Sequence, residues 1–487
     1  MSSNLPVLLF LVPFVMGVSM PLLTAKRRSW CPNITLGTFG VMLLLSIANL
    51  RVVLADGPIE YAFGGWAAPI GIAWLNDSLA AIVVLIISLV ALITQVYGRI
   101  DIAKDLQKSI PYYTLILIMV SGLVGIIFAA DLFNVFVFLE VVALTGYALV
   151  GAAGGKSLVY AFRYLLLGSF GASLYLLGLG HLYVATGTLN MADLAMRIPD
   201  LVTSTAVAGG LIYIFLGLSI KMALIPLHSW LPDAYASAPS SITPLLASTV
   251  TKVSLFAWIR IEYSLIAPGV EVSHVPVLVL LEELGVIAAL IGGALALIQT
   301  NLKRMFAYGG ISHIGLILIG VSLGNTTGLA GGMFYLINDA VMQASLFMIA
   351  GALVYYHGAH TLDDLRGVGR QSPWLTGALV VAAVAMVGLP PTGGFFGKWN
   401  IILGALEAEH YFAAFAVLAS TLLTLAYFLK IFSCWFHHPQ HAPSEPLEVS
   451  NGLRFSLGAI SISMIALGLM SDTIFRFLIE SITNGGV

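Results

Sequence analysis

Three lysines and one glutamate stand inside long apolar stretches of this sequence. Glu140 is set in Val-Phe-Leu-Glu-Val-Val-Ala-Leu and Lys221 in Leu-Ser-Ile-Lys-Met-Ala-Leu-Ile; Lys252 follows Ser248, Thr249 and Thr251, and Lys398 follows Pro390-Pro391-Thr-Gly393-Gly394. A charge at the centre of a bilayer costs about 2.5–3.5 kcal/mol even on the lower estimates, so such groups are paired, used for transport, or both. If Glu140 and Lys221 approach to about 4 Å, an effective dielectric near 20 gives about 4 kcal/mol, or about a thousandfold in proton affinity. Making and breaking that contact loads and unloads a proton. A static ion pair that fixes helix packing is the alternative, and the spread of one acid and three lysines over four stretches favours a relay. Snorkelling to the interface fits these three lysines poorly, because each lies well inside its stretch, whereas it fits Lys430 near the inner end of 411–436.

Two of the stretches carry helix breakers beside these charges. One reads Lys221-Met-Ala-Leu-Ile-Pro226-Leu-His228-Ser-Trp and the other Gly388-Leu-Pro390-Pro391-Thr-Gly393-Gly394-Phe-Phe-Gly-Lys398. Proline removes a backbone donor and blocks the preceding turn, and Pro with Gly can open a span into two half-helices. Freed backbone groups survive at membrane depth only where protein or a water-filled cavity satisfies them. Matched breaks in two halves of a chain are the sequence pointer to an inverted-repeat transport site; a simple proline kink at Pro226 is the plainer alternative. His313, in Gly-Ile-Ser-His-Ile-Gly-Leu, has the intrinsic chemistry of a proton carrier, although a hydrogen-bonded packing role is equally open to it. His228, Asp339 and Gln343 add polarity, Ser248, Thr249 and Thr251 could hold water or bond to their own helix, and Glu282 and Glu283 stand at an interface or an outer mouth.

The elements that must position these groups follow from composition. Of 487 residues, 59 % are apolar and 9 % charged, against about a quarter charged in soluble domains, which excludes an ordinary water-soluble protein. A net charge of −2 leaves no polybasic surface for nucleic acid. Cys31 and Cys434 are too few to ligate an iron–sulfur cluster and read as packing residues. With about 20 apolar residues per spanning helix, the chain yields spans near 5–24, 34–54, 77–98, 110–130, 132–153, 161–187, 205–231, 240–267, 275–299, 305–324, 328–356, 374–403, 411–436 and 453–480. No connection is long enough for a soluble domain, and no phosphate loop, metal-ligand cluster or nucleophile triad occurs in the loops. The first span is retained rather than cleaved, because Lys26, Arg27 and Arg28 follow its apolar run. Counting loops from there gathers Arg99, Lys104, Lys108, Lys156, Arg163, Lys303, Arg304, Arg366, Arg370, Lys430 and Arg454 with that cluster and leaves Arg51, Arg197, Arg260 and Arg476 opposite. The positive-inside rule then places both termini on the outer face of the cell membrane.

The passages Asp131-Leu-Phe-Asn-Val-Phe-Val-Phe-Leu-Glu140, Lys221-Met-Ala-Leu-Ile-Pro-Leu-His-Ser-Trp-Leu-Pro-Asp, Gln299-Thr-Asn-Leu-Lys-Arg-Met-Phe-Ala-Tyr-Gly-Gly-Ile-Ser-His313 and Gly388-Leu-Pro-Pro-Thr-Gly-Gly-Phe-Phe-Gly-Lys398 together resemble the antiporter-like, proton-translocating membrane subunits of complex I (NADH:quinone oxidoreductase), membrane-bound hydrogenases and Mrp antiporters. The likeness covers nearly the whole chain and is strongest to the D-type component of Mrp antiporters, with the N-type component of complex I close behind. It implies an all-α polytopic membrane protein of about fourteen transmembrane helices. The implied divisions are helices 1–3 in 1–109, one five-helix repeat in 110–267, its inverted counterpart in 275–436, and a loop with a last helix in 437–487. Helices 7 and 12 are broken in this family.

On the same resemblance Glu140 and Lys221 match the family's ion pair, Lys252 the central relay lysine, Lys398 the terminal lysine and His313 a relay histidine; His228 and Asp339 are further candidates. Two passages depart from the pattern. Many relatives read Asn-His with a lysine four residues later, whereas here Asn338 is followed by Asp339 and the later position is Gln343; Ala247 and Ser248 replace a histidine some relatives carry before the relay lysine. An acid at Asp339 offers an oxygen ligand of the kind a sodium route favours. The implied function is proton translocation within a multisubunit cation (Na+)/proton antiporter, with a redox-driven pump of the complex I or hydrogenase type as the alternative. A non-conducting structural subunit and an independent solute carrier are the readings of other classes. The implied partners are other membrane subunits, protons, possible Na+ and the lipid bilayer; no redox cofactor is bound.

Overall fold

Long apolar runs with few side-chain alternatives for backbone hydrogen bonding fold as helices, since a membrane interior leaves every N–H and C=O to be satisfied within the segment. The computed structural model describes residues 4–66, 68–102, 109–265, 276–437 and 449–483; Lys104, Lys108 and parts of the 267–275 and 437–452 boundaries lie outside them. In chain order the helices are α1 (Leu5–Thr24), α2 (Cys31–Asp56), α3 (Ser78–Ile102), α4 (Ser109–Phe128), α5 (Leu132–Gly151), α6 (Lys156–Thr186), α7 (Met191–Arg197), α8 (Thr205–Lys221), α9 (Leu231–Ser237) and α10 (Thr243–Leu265). They continue with α11 (Val277–Ile298), α12 (Leu302–Ser322), α13 (Thr326–His357), α14 (Val368–Gln371), α15 (Pro373–Val387), α16 (Gly393–Glu407), α17 (Tyr411–Trp435), α18 (Asn451–Leu469) and α19 (Ser471–Thr483). An antiparallel hairpin, β1 (Ile59–Ala62) against β2 (Ala73–Asn76), joins α2 to α3 with Ile59 opposite Asn76. Among the described residues 11 helices are long and apolar enough to cross a membrane, and the chain is a multi-pass membrane protein. The apolar helices α8 and α15 are shorter because each is stopped by a break.

Polar residues at helix starts explain several motif positions. The Asp131 side chain accepts from the backbone N–H groups of Phe133 and Asn134, capping α5, and Asn301 caps α12 through the N–H of Arg304. Such caps satisfy donors that the first helical turn leaves unpaired. Each cap also anchors a distant loop. Leu132 N–H donates to Leu189 at 2.9 Å and Met191 N–H to Ala130 at 3.0 Å, while Leu302 N–H donates to His360 at 3.1 Å and Leu362 N–H to Thr300 at 2.9 Å.

Both breaks end their helix in the same way. After α8, Ala223 takes φ +59°, and after α15, Gly388 takes φ +83°; Leu224 N–H then reaches Ser219 C=O and Leu389 N–H reaches Val384 C=O, each at 2.9 Å. This left-handed residue with a bond back across the last turn is the usual way to satisfy a helix's final carbonyls. The chain resumes as α9 and α16. The α8 stop is seated against α6 through small residues: a Cβ on Gly217 would lie 2.6 Å from the Gly171 carbonyl oxygen, an approach only glycine allows.

α13 is the central element, packed against α3, α10, α12, α15, α16, α18 and α19. Apolar side chains on the opposite faces of α1, α2, α6 and α17, among them Leu22, Leu44, Val184 and Leu422, point outward, as expected where lipid or another subunit is the neighbour. The structure differs from the sequence expectation in three places. The last stretch, 453–480, divides at Met470 into α18 and an amphipathic α19, whose Phe475 and Leu478 are buried while Asp472 and Arg476 pair in solvent. Arg260, assigned to a loop surface, is buried, because its guanidinium is covered by β2 and α4 and donates to Leu75 and Ile127 carbonyls. Lys303, assigned to the opposite loop surface, is buried too, with Nζ donating to the Ala238 carbonyl and Ser240 Oγ.

Candidate functional site

The α8 break leaves Lys221 as the last residue of its helix, where the carbonyl end of the helix dipole favours a cation. Its Nζ lies 2.9 Å from Glu140 Oε1 on α5. The lysine is almost wholly buried and the Glu140 side chain is 28 % exposed, so one partner of the pair reaches the surface of the chain. Trp230 Nε1–H donates to the Ile220 carbonyl at 2.8 Å, and the Trp230 ring stacks on Tyr164 of α6. These contacts lock the strand of chain between α8 and α9 around the pair. His228, within this segment, packs its ring against Tyr308 of α12 rather than joining the Glu140–Lys221 contact.

Lys252 lies in α10, facing α13. Its Nζ is 2.7 Å from Asp339 Oδ2 and donates to the Ala247 carbonyl at 3.0 Å. Asp339 Oδ1 in turn faces His313 Nδ1 of α12 at 2.8 Å and accepts from Gln343 Nε2 at 3.4 Å. Neither Asp339 nor His313 has any solvent exposure. The Tyr335 hydroxyl contacts the His313 ring nitrogens at 3.2 and 3.3 Å. The two departures from the family pattern, Asp339 and Gln343, are thus both part of one buried cluster, built on α10, α12 and α13.

Lys398 completes the set from α16. Its Nζ donates to the last carbonyls of α15, Met386 at 2.8 Å and Val387 at 3.2 Å, and stands 5.9 Å from the centre of the Tyr335 ring. It has no acid in ion-pair contact among the described residues. Both broken helices therefore bring a buried lysine to the carbonyl end of their first half: Lys221 as its final residue, Lys398 by reaching back across the break. Lys221, Lys252, Asp339, His313, Tyr335 and Lys398 are all buried, and Glu140 alone of this set is part-exposed.

Other polar groups separate cleanly from this line. Ser248 and Thr249 hydroxyls donate to the Leu245 carbonyl of their own helix. Glu282 contacts His410 at 2.5 Å, tying the start of α11 to the start of α17. Lys430 donates to the Leu297 and Gln299 carbonyls at the end of α11. Sequence reasoning did not single out the buried ion pair between Arg260 and Asp77, although Asp77, which also accepts from the N–H of Ala80, opens an apolar run with an acid. It also passed over Asp233 of α9, which pairs with Arg304 at 2.5 Å and Arg163 at 3.6 Å near the entry to the first break. Among the described residues no group of three or more His, Cys, Asp or Glu side chains is arranged to hold a metal ion. Both oxygens of Asp339 are engaged by nitrogen groups, so the lysine ammonium stands where a sodium ion would need its ligand.

Comparison with known proteins gives one consistent outcome. The family described as "NADH:quinone oxidoreductase/Mrp antiporter, TM" matches residues 129–424. The chain is 34 % identical to the N-type component of the NADH-quinone oxidoreductase of Desulforudis audaxviator, over 99 % of this chain and 98 % of that one. It is 32 % identical to the D-type component of the Na(+)/H(+) antiporter of Alkalihalophilus pseudofirmus, over 98 % and 96 %. A chain in the structure of the membrane-bound sulfane sulfur reductase, an archaeal respiratory membrane complex, superposes with a TM-score of 0.91 at 29 % identity, over 97 % of this chain and 96 % of that chain.

Proposed function

The chain belongs to the NADH:quinone oxidoreductase/Mrp antiporter family, and from that premise we propose that it is the proton-translocating subunit of a multisubunit cation/proton antiporter in the cell membrane. The observation that carries the reading is the Glu140–Lys221 contact of 2.9 Å at the end of an interrupted helix. At that distance an effective dielectric of about 20 gives an upper bound of about 6 kcal/mol, reduced in so far as Glu140, at the surface of the chain, is screened. Closing the contact holds a proton on Lys221; opening it releases the proton toward Lys252, and Lys398 serves as the terminal site on the far side. A proton route needs only such exchanges between bases, and the buried lysines supply them without a redox centre.

The architecture we propose has fourteen membrane crossings, both termini on the outer face, and two inverted repeats in 110–267 and 275–436. The matching caps and loop anchors at Asp131 and Asn301, and the matching ends of α8 and α15, support the repeats. Other membrane subunits are the expected partners, because the curated relatives are named as subunits and the superposed chain comes from a respiratory membrane complex. The NADH-quinone oxidoreductase relative, at 34 % identity, supports a second reading in which the same path is driven by electron transfer in partner subunits.

The test uses the tagged complex purified in mild detergent and reconstituted into proteoliposomes. Lys221→Ala and Glu140→Ala should each abolish coupled proton transport while native gels show normal assembly. Unimpaired transport in either variant refutes the relay, and normal transport with lost assembly indicates a scaffold. Mass spectrometry of the same preparation separates the two parents: small membrane partners alone mean an antiporter, and co-purifying iron–sulfur subunits mean a redox pump.

A further inference from the structure

The centre of the buried line is held by a single carboxylate with two basic partners. Asp339 presents Oδ2 to Lys252 Nζ at 2.7 Å and Oδ1 to His313 Nδ1 at 2.8 Å, from a position with no solvent exposure. We propose that Asp339 is the pivot of the hand-off between the two halves of the protein: one carboxylate that pairs with whichever of Lys252 and His313 carries the proton and passes it between them. This deepens the proton-translocation reading above and rests on it.

The argument is one of charge conservation in a dry site. With the proton on Lys252, the ammonium and the Asp339 carboxylate cancel and His313 is neutral. With the proton on His313, the imidazolium and the same carboxylate cancel and Lys252 is a neutral amine. Both arrangements are electrically neutral, and both keep an ion pair at hydrogen-bond distance, so the proton changes owner without leaving an unpaired charge in the low-dielectric interior. The step balances: an N–H bond of Lys252 breaks as an O–H bond forms at Asp339 Oδ2, the carboxyl turns about its Cβ–Cγ bond to bring that O–H to His313, and the O–H bond breaks as an N–H bond forms at Nδ1, so the carboxylate ends as it began. Without Asp339, the same transfer would move a bare cation between two buried bases.

The surroundings fix the direction in which the line continues. The groups facing Asp339 are Lys252 from α10, His313 from α12 and Gln343 one turn along α13, whose amide donates to Oδ1 at 3.4 Å. The Tyr335 hydroxyl lies 3.2 Å from His313 Nδ1 and 3.3 Å from Nε2, and the Tyr335 ring lies 5.9 Å from Lys398 Nζ. Lys398 has backbone carbonyls as acceptors and, among the described residues, no acid of its own. Asp339 is therefore the carboxylate of this cluster, in direct contact with Lys252 and His313.

The experiment is proton transport by the intact complex in proteoliposomes, comparing Asp339→Asn, Asp339→Glu and His313→Gln, with assembly read on native gels. Asn keeps the shape and removes the charge; Glu keeps the charge and changes the shape. We expect Asp339→Asn and His313→Gln each to lose about tenfold or more of the transport rate, and Asp339→Glu to keep a larger share of it than Asn. A packing role predicts the reverse order of Asn and Glu, and that order overturns the proposal, as does wild-type transport in His313→Gln. His313→Gln leaves the Lys252–Asp339 pair intact, so it decides the matter if Asp339→Asn fails to assemble with a stranded ammonium. Glu140→Ala in parallel keeps the two readings apart: if it too transports normally, the translocation reading has failed; if it is dead while Asp339→Asn and His313→Gln are active, only the pivot has.

Discussion

Replacing Gly388 by Ala tests how the second break seats its lysine. Gly388 sits at φ +83° and ψ 63°, a left-handed conformation that costs an L-residue with a Cβ about 1–2 kcal/mol. A Cβ there would lie 3.1 Å from Lys398 Cδ, closer than the roughly 3.5–4.0 Å of an ordinary carbon contact. The lysine must retreat by about half an ångström to restore that separation. Its bonds to Met386 and Val387 carbonyls are 2.8 and 3.2 Å long, and a retreat of that size takes the longer one out of hydrogen-bond range. Losing one bond to a charged group costs about 1.5–3 kcal/mol. Strain and lost bond together come to about 2.5–5 kcal/mol if they add fully. We expect Gly388→Ala to lower the proton-transport rate of reconstituted complex by about tenfold or more and to lower its melting temperature. Ala223→Gly is the control, because Ala223 occupies the equivalent position at φ +59°; it should leave transport intact and stability unchanged or slightly raised. A Gly388→Ala complex that melts and transports like the wild type would refute both the conformational requirement and the carbonyl seat.

Arg260→Met strands the buried Asp77 carboxylate and empties two carbonyl contacts, which should cost about 3–5 kcal/mol; thermal melting of the solubilised complex should fall, and the double variant Arg260→Met/Asp77→Asn should recover part of the loss, since Asn keeps the acceptor for Ala80 N–H. In the loop after α13, Asp364 accepts from the Thr361 N–H and hydroxyl and from the His360 N–H; the Thr361 backbone N–H, followed by the other donors, holds its carboxyl below its ordinary range. A depressed carboxyl contributes stability above its unfolded value and loses it as acid protonates it, so hydrogen exchange across 358–366 should quicken below about pH 4. Asp364→Asn should exchange quickly already at neutral pH, and an unchanged exchange pattern would show that these bonds do not hold the loop.

The parts of the site that the sequence disclosed were those marked by local contradiction. A glutamate or lysine in an apolar run, and prolines and glycines beside it, violate the local rule so plainly that Glu140, Lys221, Lys252, Lys398 and both breaks were identifiable from spacing alone. Asp339 was visible as a polar residue in an apolar span and as a departure from the family pattern, but not its pairing, because its partners lie on α10 and α12 and hydrophobic periodicity carries no information about which helices α13 touches. Arg260 was misplaced for a related reason: a charge near the end of an apolar run reads as interfacial unless a covering element is known, and here β2 and α4 cover it. The split between α18 and α19 was missed because both halves are apolar enough to be read as one run.

The seat of Lys398 is made of main chain. Its acceptors are the Met386 and Val387 carbonyls, which every residue type supplies, so substitutions at those two positions leave the ligand chemistry untouched so long as the helix still ends there. Packing, not the lysine, therefore limits which side chains Met386 and Val387 can carry, both being buried, and the geometry of the lysine's seat depends on Gly388, which sets the turn. A screen for loss of transport should find its most sensitive position in this region at a glycine with no side chain to act, and a survey confined to titratable residues would overlook it.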